Sequence, residues 1–273
     1  GFLVGGWTAV RRAERVGVRG ELVWDLGMWG FFAGVVGGRV FYCVQYAEQV
    51  FYNNVGGQPV LKSFPDLVLS AINLPDGGLV LYGGVLAGVA TYFIFCYQKQ
   101  LNALKMADIG MPSLLIGLAF GRMGCFLNGC CYGDRCELPW AVTFPLGSVP
   151  DIALVRRGFV MPDESLVFAL HPSQLYSSLN ALILAGLTAA YFRYRHRDGA
   201  VVALGMLTYP VTRFVIEYLR GDEMGQFNTS LTISQWISIG LFSTGLVYLA
   251  WLTRKPEATA SLAVRHGTPS AAA

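Results

Sequence analysis

The chain has 273 residues, 54% of them hydrophobic and only 14% charged, with a mean hydropathy of +0.48. A soluble globular domain carries about 45–50% apolar and about 25% charged residues, so the composition excludes an ordinary soluble enzyme and asks for a bilayer. The net charge of +3 makes no case for nucleic acid, and no such partner is expected.

In chain order, Gly1 to Val10 is apolar but shorter than the ~20 residues that cross a hydrocarbon core. It begins without a methionine, so it reads as the remnant of a truncated first helix, and no separate signal peptide is visible. Full-length apolar segments follow at about Leu26 to Tyr46, Gly78 to Tyr97, Ile109 to Cys130, Leu175 to Phe192, Ala200 to Leu219 and Leu231 to Leu252. The expected fold is all-α: a polytopic membrane protein with a seven-transmembrane-helix bundle, its first helix truncated here. The polar stretch 132–170, rich in proline and acidic residues such as Asp134, Glu137, Asp151, Asp163 and Glu164, is expected to form a small external head after the fourth helix. Residues 1–255 form the membrane domain, and 256–273 read as a disordered cytoplasmic tail of Ala, Ser, Thr and Pro.

Cytoplasmic loops of membrane proteins carry the excess of Lys and Arg. One side of the expected topology holds Arg11, Arg12, Arg15, Arg19, Lys99, Lys105, Arg193, Arg195, Arg197, Arg254, Lys255 and Arg265; the other holds Lys62, Arg135, Arg156, Arg157 and Arg220. The first side is therefore cytoplasmic, and so is the C-terminus. Small residues at four-residue spacing, Gly30/Gly34/Gly38, Gly84/Gly88 and Gly117/Gly121 with Gly124, predict close helix packing.

Arg39, Arg122 and Arg213 fall inside apolar segments, each at ~2.5–3.5 kcal/mol on the insertion scale, which marks them as functional candidates. Arg213 has Glu217 four residues on, the spacing of an intrahelical ion pair, and Arg220 continues that face. Arg122 has no acidic neighbour in its helix. A guanidinium fork binds two phosphate oxygens at once, and two arginines can share one phosphate; Arg122 and Arg220, both toward the outer ends of their helices, are the expected pair. Cys125, Cys130, Cys131 and Cys136 cluster at the end of the fourth segment. Three readings stand for them: one or two disulfides stapling the head, free thiols, and a four-sulfur metal site whose spacing matches no usual zinc pattern. His171-Pro172-Ser173-Gln174-Leu175-Tyr176 reads as the start of the fifth helix, with His171 and Gln174 in a capping role.

Four elements taken together, Gly77 to Gly84, Gly121-Arg122-Met123-Gly124-Cys125-Phe126-Leu127-Asn128-Gly129, His171 to Tyr176, and Arg213-Phe214 through Glu217 to Arg220, resemble the prolipoprotein diacylglyceryl transferase family. The resemblance runs from about Gly1 to Trp251. It implies a multi-pass enzyme of the bacterial cytoplasmic (inner) membrane that moves the diacylglyceryl group of phosphatidylglycerol onto the lipobox cysteine of a prolipoprotein. Glycerol phosphate is released, and no metal or nucleotide cofactor is implied. It implies that Arg122, Arg220 and Tyr82 are catalytic and that Arg122, Arg220, Arg39, Asn128 and Gly133 bind phosphatidylglycerol. The chain departs from the family where many members have histidine at Tyr82, asparagine at Cys125 and glutamate at Cys130. A free phenol titrates near 10 and a thiol near 8.5, so Tyr82 serves as a base only if arginines lower its pKa. Two other classes remain: a lipid-binding or transport protein on the same scaffold, and a membrane thiol oxidoreductase using Cys130 and Cys131.

Overall fold

The apolar segments fold as helices, and among the described residues five are long and apolar enough to cross a membrane: Gly20–Gln45, Leu81–Gln98, Ala103–Asn128, Ala200–Glu217 and Ile233–Thr253. The structure, a computed structural model, describes residues 1–55, 58–73, 78–148, 150–152, 169–220 and 225–255. Its helices are α1 (Phe2–Arg15), α2 (Gly20–Gln45), α3 (Ala47–Phe51), α4 (Phe64–Ile72), α5 (Leu81–Gln98), α6 (Ala103–Asn128), α7 (Ser173–Tyr191), α8 (Ala200–Glu217) and α9 (Ile233–Thr253). Two antiparallel ladders qualify the all-α expectation: β1 (Tyr52–Val55) pairs with β2 (Gln58–Leu61), and β3 (Val142–Thr143) with β4 (Ala169–Leu170). Trp29, Phe31 and Phe32 on α2 are exposed. Burying each such side chain is worth about 1.5–3 kcal/mol, and a bilayer supplies that burial.

The chain divides into two units, Ala13–Met106 and Gly1–Arg12 with Ala107–Ala273. In the first, α2 and α5 touch backbone to backbone. A Cβ on Gly37 would lie 2.6 Å from the Gly83 carbonyl oxygen, and one on Gly84 would lie 3.0 Å from that of Gly34. The contact thus runs through Gly34, Gly37, Gly38, Gly83 and Gly84, whereas a Cβ on Gly30 or Gly88 would meet nothing within 4 Å. Between the two helices, Lys62 closes the β1–β2 hairpin onto its neighbours by donating from Nζ to the Val50 carbonyl at 2.7 Å and to Ser70 Oγ at 3.0 Å.

In the second unit Leu115, Leu184 and Ala185 are buried together with Met111, Ile116 and Tyr209 against them, which joins α6, α7 and α8. Polar ties fix the register: Ser178 Oγ donates to the Ala119 carbonyl at 3.0 Å and Asn180 Nδ2 to Thr212 Oγ1 at 2.9 Å. These residues give α7 its polar stripe, which explains why α7 matches the segment at 175–192 yet is not among the five most apolar spans. Asp108 of α6 is fully buried and accepts the N–H groups of Gly199, Val201 and Val202 at 2.8, 3.0 and 3.1 Å, capping α8 from a neighbouring helix. Arg195 Nε pairs with the same carboxylate at 3.2 Å.

Two placements differ from expectation. α1 runs on through Arg11, Arg12 and Arg15, which the topology had put in a loop. Arg12 is buried, donating from Nε to the Ile109 carbonyl at 3.1 Å and from Nη2 to Ser113 Oγ. Of the expected head at 132–170, residues 149 and 153–168 lie outside the described residues, as does the tail at 256–273.

Candidate anion site at the ends of α6 and α8

α6 ends in a turn that its sequence dictates. Gly129 follows Asn128 with φ +70°, its N–H bonding the Phe126 carbonyl at 3.1 Å, while Cys130 N–H bonds the Cys125 carbonyl at 3.1 Å. These are the two bonds of a Schellman cap, and the glycine supplies the left-handed residue without a Cβ clash. Cys131 comes next, also left-handed at φ +60°, and the chain reverses. Ser173 Oγ donates to the Cys131 carbonyl and Gln174 Nε2 to the Cys130 carbonyl, both at 2.8 Å. The motif at 171–176 therefore does not cap its own helix with side chains, as the sequence suggested; it grips the turn after α6. His171 Nδ1 lies 3.3 Å from Tyr176 Oη, which accepts from Trp140 Nε1 at 2.8 Å.

Gly133 is where three segments meet. Its N–H bonds the His171 carbonyl at 2.9 Å, it pairs with Arg220 in an antiparallel bridge, and the next N–H, of Asp134, bonds the Leu219 carbonyl at 2.9 Å. A Cβ at Gly133 would stand 2.6 Å from the carbonyl oxygens of both His171 and Leu219 and collide with His171 Cβ. Glycine is required here by backbone packing, and that packing delivers Arg220 beside the end of α6.

Glu217, on the last turn of α8, organises the charges. Its buried carboxylate pairs with Arg213 Nη1 at 2.7 Å and Arg220 Nη1 at 3.4 Å, and accepts from Thr232 Oγ1 at 3.0 Å. Thr232 is also the N-cap of α9, forming a reciprocal capping box with Gln235. The Arg213–Glu217 ion pair expected from spacing is present, and Arg213 Nη2 also reaches Ser234 Oγ at 3.2 Å.

Arg122 behaves differently. It is half-buried, its charge acts on Arg213 and on Cys131, and among the described residues no hydrogen bond or ion pair engages its guanidinium. The glycines flanking it, Gly121 and Gly124, face open space, since a Cβ on either would meet nothing within 4 Å, whereas the Gly117 backbone lies close to Gly1, a Cβ on which would stand 3.5 Å from the Gly117 Cα. Among the described residues three guanidiniums lie around one carboxylate, that of Glu217. Asn128 ends α6 exposed at the same place.

All six cysteines are free in the structure. The Schellman turn brings Cys125, Cys130 and Cys131 together, while Cys136 is drawn away by its backbone bond to Ala169 at 3.0 Å. Burial pushes the Cys131 thiol up to about 11, the neighbouring Cys130 and Cys125 adding to the rise and Arg220 and Arg122 opposing it.

Arg39 and Tyr82 belong to the other unit. Arg39 donates from Nε to the Ala71 carbonyl at 2.9 Å, from Nη1 to Gly78 at 3.0 Å and from Nη2 to Ser70 at 2.6 Å. It clamps the chain between α4 and α5. Tyr82 stands exposed in the first turn of α5; Gly77, from the double-glycine element, lies outside the described residues. The sequence reading missed Asp108 and Arg12 as buried charges, because both lie just beyond the apolar windows.

The model of the prolipoprotein diacylglyceryl transferase family matches residues 1–251. Curated relatives with the name phosphatidylglycerol–prolipoprotein diacylglyceryl transferase include those of Idiomarina loihiensis, 30% identical over 82% of this chain and 74% of the relative, and Clostridium tetani, 29% identical over 86% and 83%. The Rhodopirellula baltica protein is 28% identical over 88% of this chain and 68% of its own length. Neither the transport nor the oxidoreductase reading is favoured by these names.

Proposed function

We infer that this chain, which belongs to the prolipoprotein diacylglyceryl transferase family, is a membrane enzyme that transfers the diacylglyceryl group of phosphatidylglycerol to the lipobox cysteine of prolipoproteins. The observation that carries the site assignment is Arg122: a half-buried guanidinium without a protein partner among the described residues, beside Arg213, Glu217 and Arg220. In the reaction the thiol sulfur bonds to the terminal glycerol carbon of the diacylglyceryl group. The carbon–oxygen bond to phosphate breaks, its electron pair leaves on the phosphate oxygen, and the thiol proton is released. The phosphate thereby passes from a diester with one negative charge to a monoester with two, and guanidiniums held beside it stabilise the charge that grows. Fixed donors aimed at charge that grows in the transition state are worth on the order of 10²–10³ in rate each.

In this reading Arg122 binds the phosphate directly. Arg220 shares it, its backbone placed by Gly133 and its side chain steadied by Glu217. Asn128 offers an amide to the glycerol head group. The basic loops face the cytoplasm with the C-terminus, and α1 and α7 join the five long apolar helices as membrane-crossing segments. The full-length protein, purified in detergent and given labelled phosphatidylglycerol and a lipobox peptide, is expected to yield thioether-linked peptide and glycerol phosphate in equal amounts. No product from the cysteine peptide, or equal product from its serine counterpart, would overturn the reading.

A further inference from the structure

Beside the arginines lies the densest group of soft ligands in the described chain: the Sγ atoms of Cys125, Cys130 and Cys131 all fall within 4.8 Å of one another. The turn produces this convergence. The bond from Cys130 N–H to the Cys125 carbonyl folds the C-x4-C spacing back on itself, and Cys130 Sγ lies 3.7 Å from that carbonyl. Cys131 follows in a left-handed conformation that costs a non-glycine residue roughly 1–2 kcal/mol. Such strain persists where the surroundings over-determine it and marks functional positions. Here Ser173 and Gln174, both buried, hold the carbonyls of Cys131 and Cys130 and keep the third thiol turned into the group.

We propose that Cys125, Cys130 and Cys131 form a three-thiolate site for a soft d10 divalent cation of the zinc class. With metal–sulfur bonds of about 2.3 Å, a tetrahedral site needs sulfurs about 3.8 Å apart. The present sulfur spacing, within 4.8 Å, is about 1 Å from that requirement. A disulfide would use two of the sulfurs, need them at about 2.04 Å and leave the third unused. Thiolates select zinc-like ions over hard cations, each thiol gives up its proton on binding, and the fourth position stays open. The complex of three thiolates with a divalent ion carries one net negative charge, and it lies in the field of Arg122 and Arg220, whose charges act on Cys131. The signal that finds this site is the turn, and the spacing alone matches no zinc pattern.

The test is titration of the reduced, full-length protein in detergent with Cd2+, a probe whose bonds to sulfur absorb in the ultraviolet. A charge-transfer band saturating at one equivalent is expected, with Zn2+ displacing it. The band should weaken tenfold or more in C125S and C131S and persist in C43S and C136S. C125N, checked for unchanged helix content by circular dichroism, serves if C125S misfolds. Absence of a saturable band in the parent, a band that survives in folded C125S, C125N and C131S, or one that C136S also removes, would overturn the proposal. The readout is metal binding and does not depend on transferase activity.

Discussion

Replacing Glu217 with leucine would remove the carboxylate that pairs with Arg213 at 2.7 Å and with Arg220 at 3.4 Å, together with the acceptor of the Thr232 hydroxyl. The Glu217 side chain is 0% exposed and the two guanidinium side chains 9% and 7%, so water cannot take its place. Removing one partner of a buried ion pair costs about 3–5 kcal/mol, because it strands the other charge. For a chain of this size a kcal/mol moves the melting midpoint by roughly 2–4 °C, so a fall on the order of 10 °C is expected. Exchanging both partners for apolar residues of similar volume avoids the stranded charge; the double variant R213M/E217L should therefore melt higher than E217L alone. Thermal unfolding in detergent, followed by circular dichroism at fixed protein concentration, measures both. An E217L midpoint within about 2 °C of the parent, or a double variant no better than the single one, would refute the charge-pair reasoning.

Asp108→Ala removes the acceptor of three backbone N–H groups and the nearer of the two carboxylates paired with Arg195, which keeps Asp198 at 3.6 Å; it should destabilise by about 1–3 kcal/mol for each donor left unpaired in the same assay, with Asp108→Asn recovering part of the loss. Gly133→Ala places a methyl 2.6 Å from two carbonyl oxygens and pushes the Arg220 strand away; transfer should fall about 10²-fold while helix content holds. Cys131, its thiol held up to about 11 by burial, should alkylate slowly near neutral pH, the rate climbing with each pH unit toward that value; mass spectrometry of the labelled peptide reads it, and a plateau below about 9 contradicts the burial.

The helices were legible because a bilayer-crossing segment is written in some twenty consecutive side chains; α2, α5, α6, α8 and α9 lie within a few residues of the apolar windows. The Arg213–Glu217 pair was legible for a related reason, being local to one helix. What escaped is written across helices. Asp108 looks like a loop carboxylate until Gly199 and Val201 are brought to it, and Arg12 looks like a topology signal until Ile109 and Ser113 meet it. Gln174 and Ser173 have the composition of a helix start, but their partners, the carbonyls of Cys130 and Cys131, lie more than forty residues away. Packing glycines were half legible: four-residue spacing found Gly34, Gly38 and Gly84, while Gly37 and Gly83 became visible only with the crossing of α2 and α5. The cysteine cluster was legible as a cluster; its grouping into three plus one depends on the turn at Gly129 and Cys131.

Arg122 is the centre of the account, a guanidinium open to an anion at the end of α6. Its direct test is the rate of diacylglyceryl transfer from phosphatidylglycerol to a lipobox peptide by Arg122→Ala and Arg122→Lys, each folded as judged by melting. A loss on the order of 10²–10³ in kcat for alanine is expected, with partial recovery for lysine, which keeps the charge but not the two-oxygen fork. Transfer by the alanine variant at the parent's rate would contradict the account.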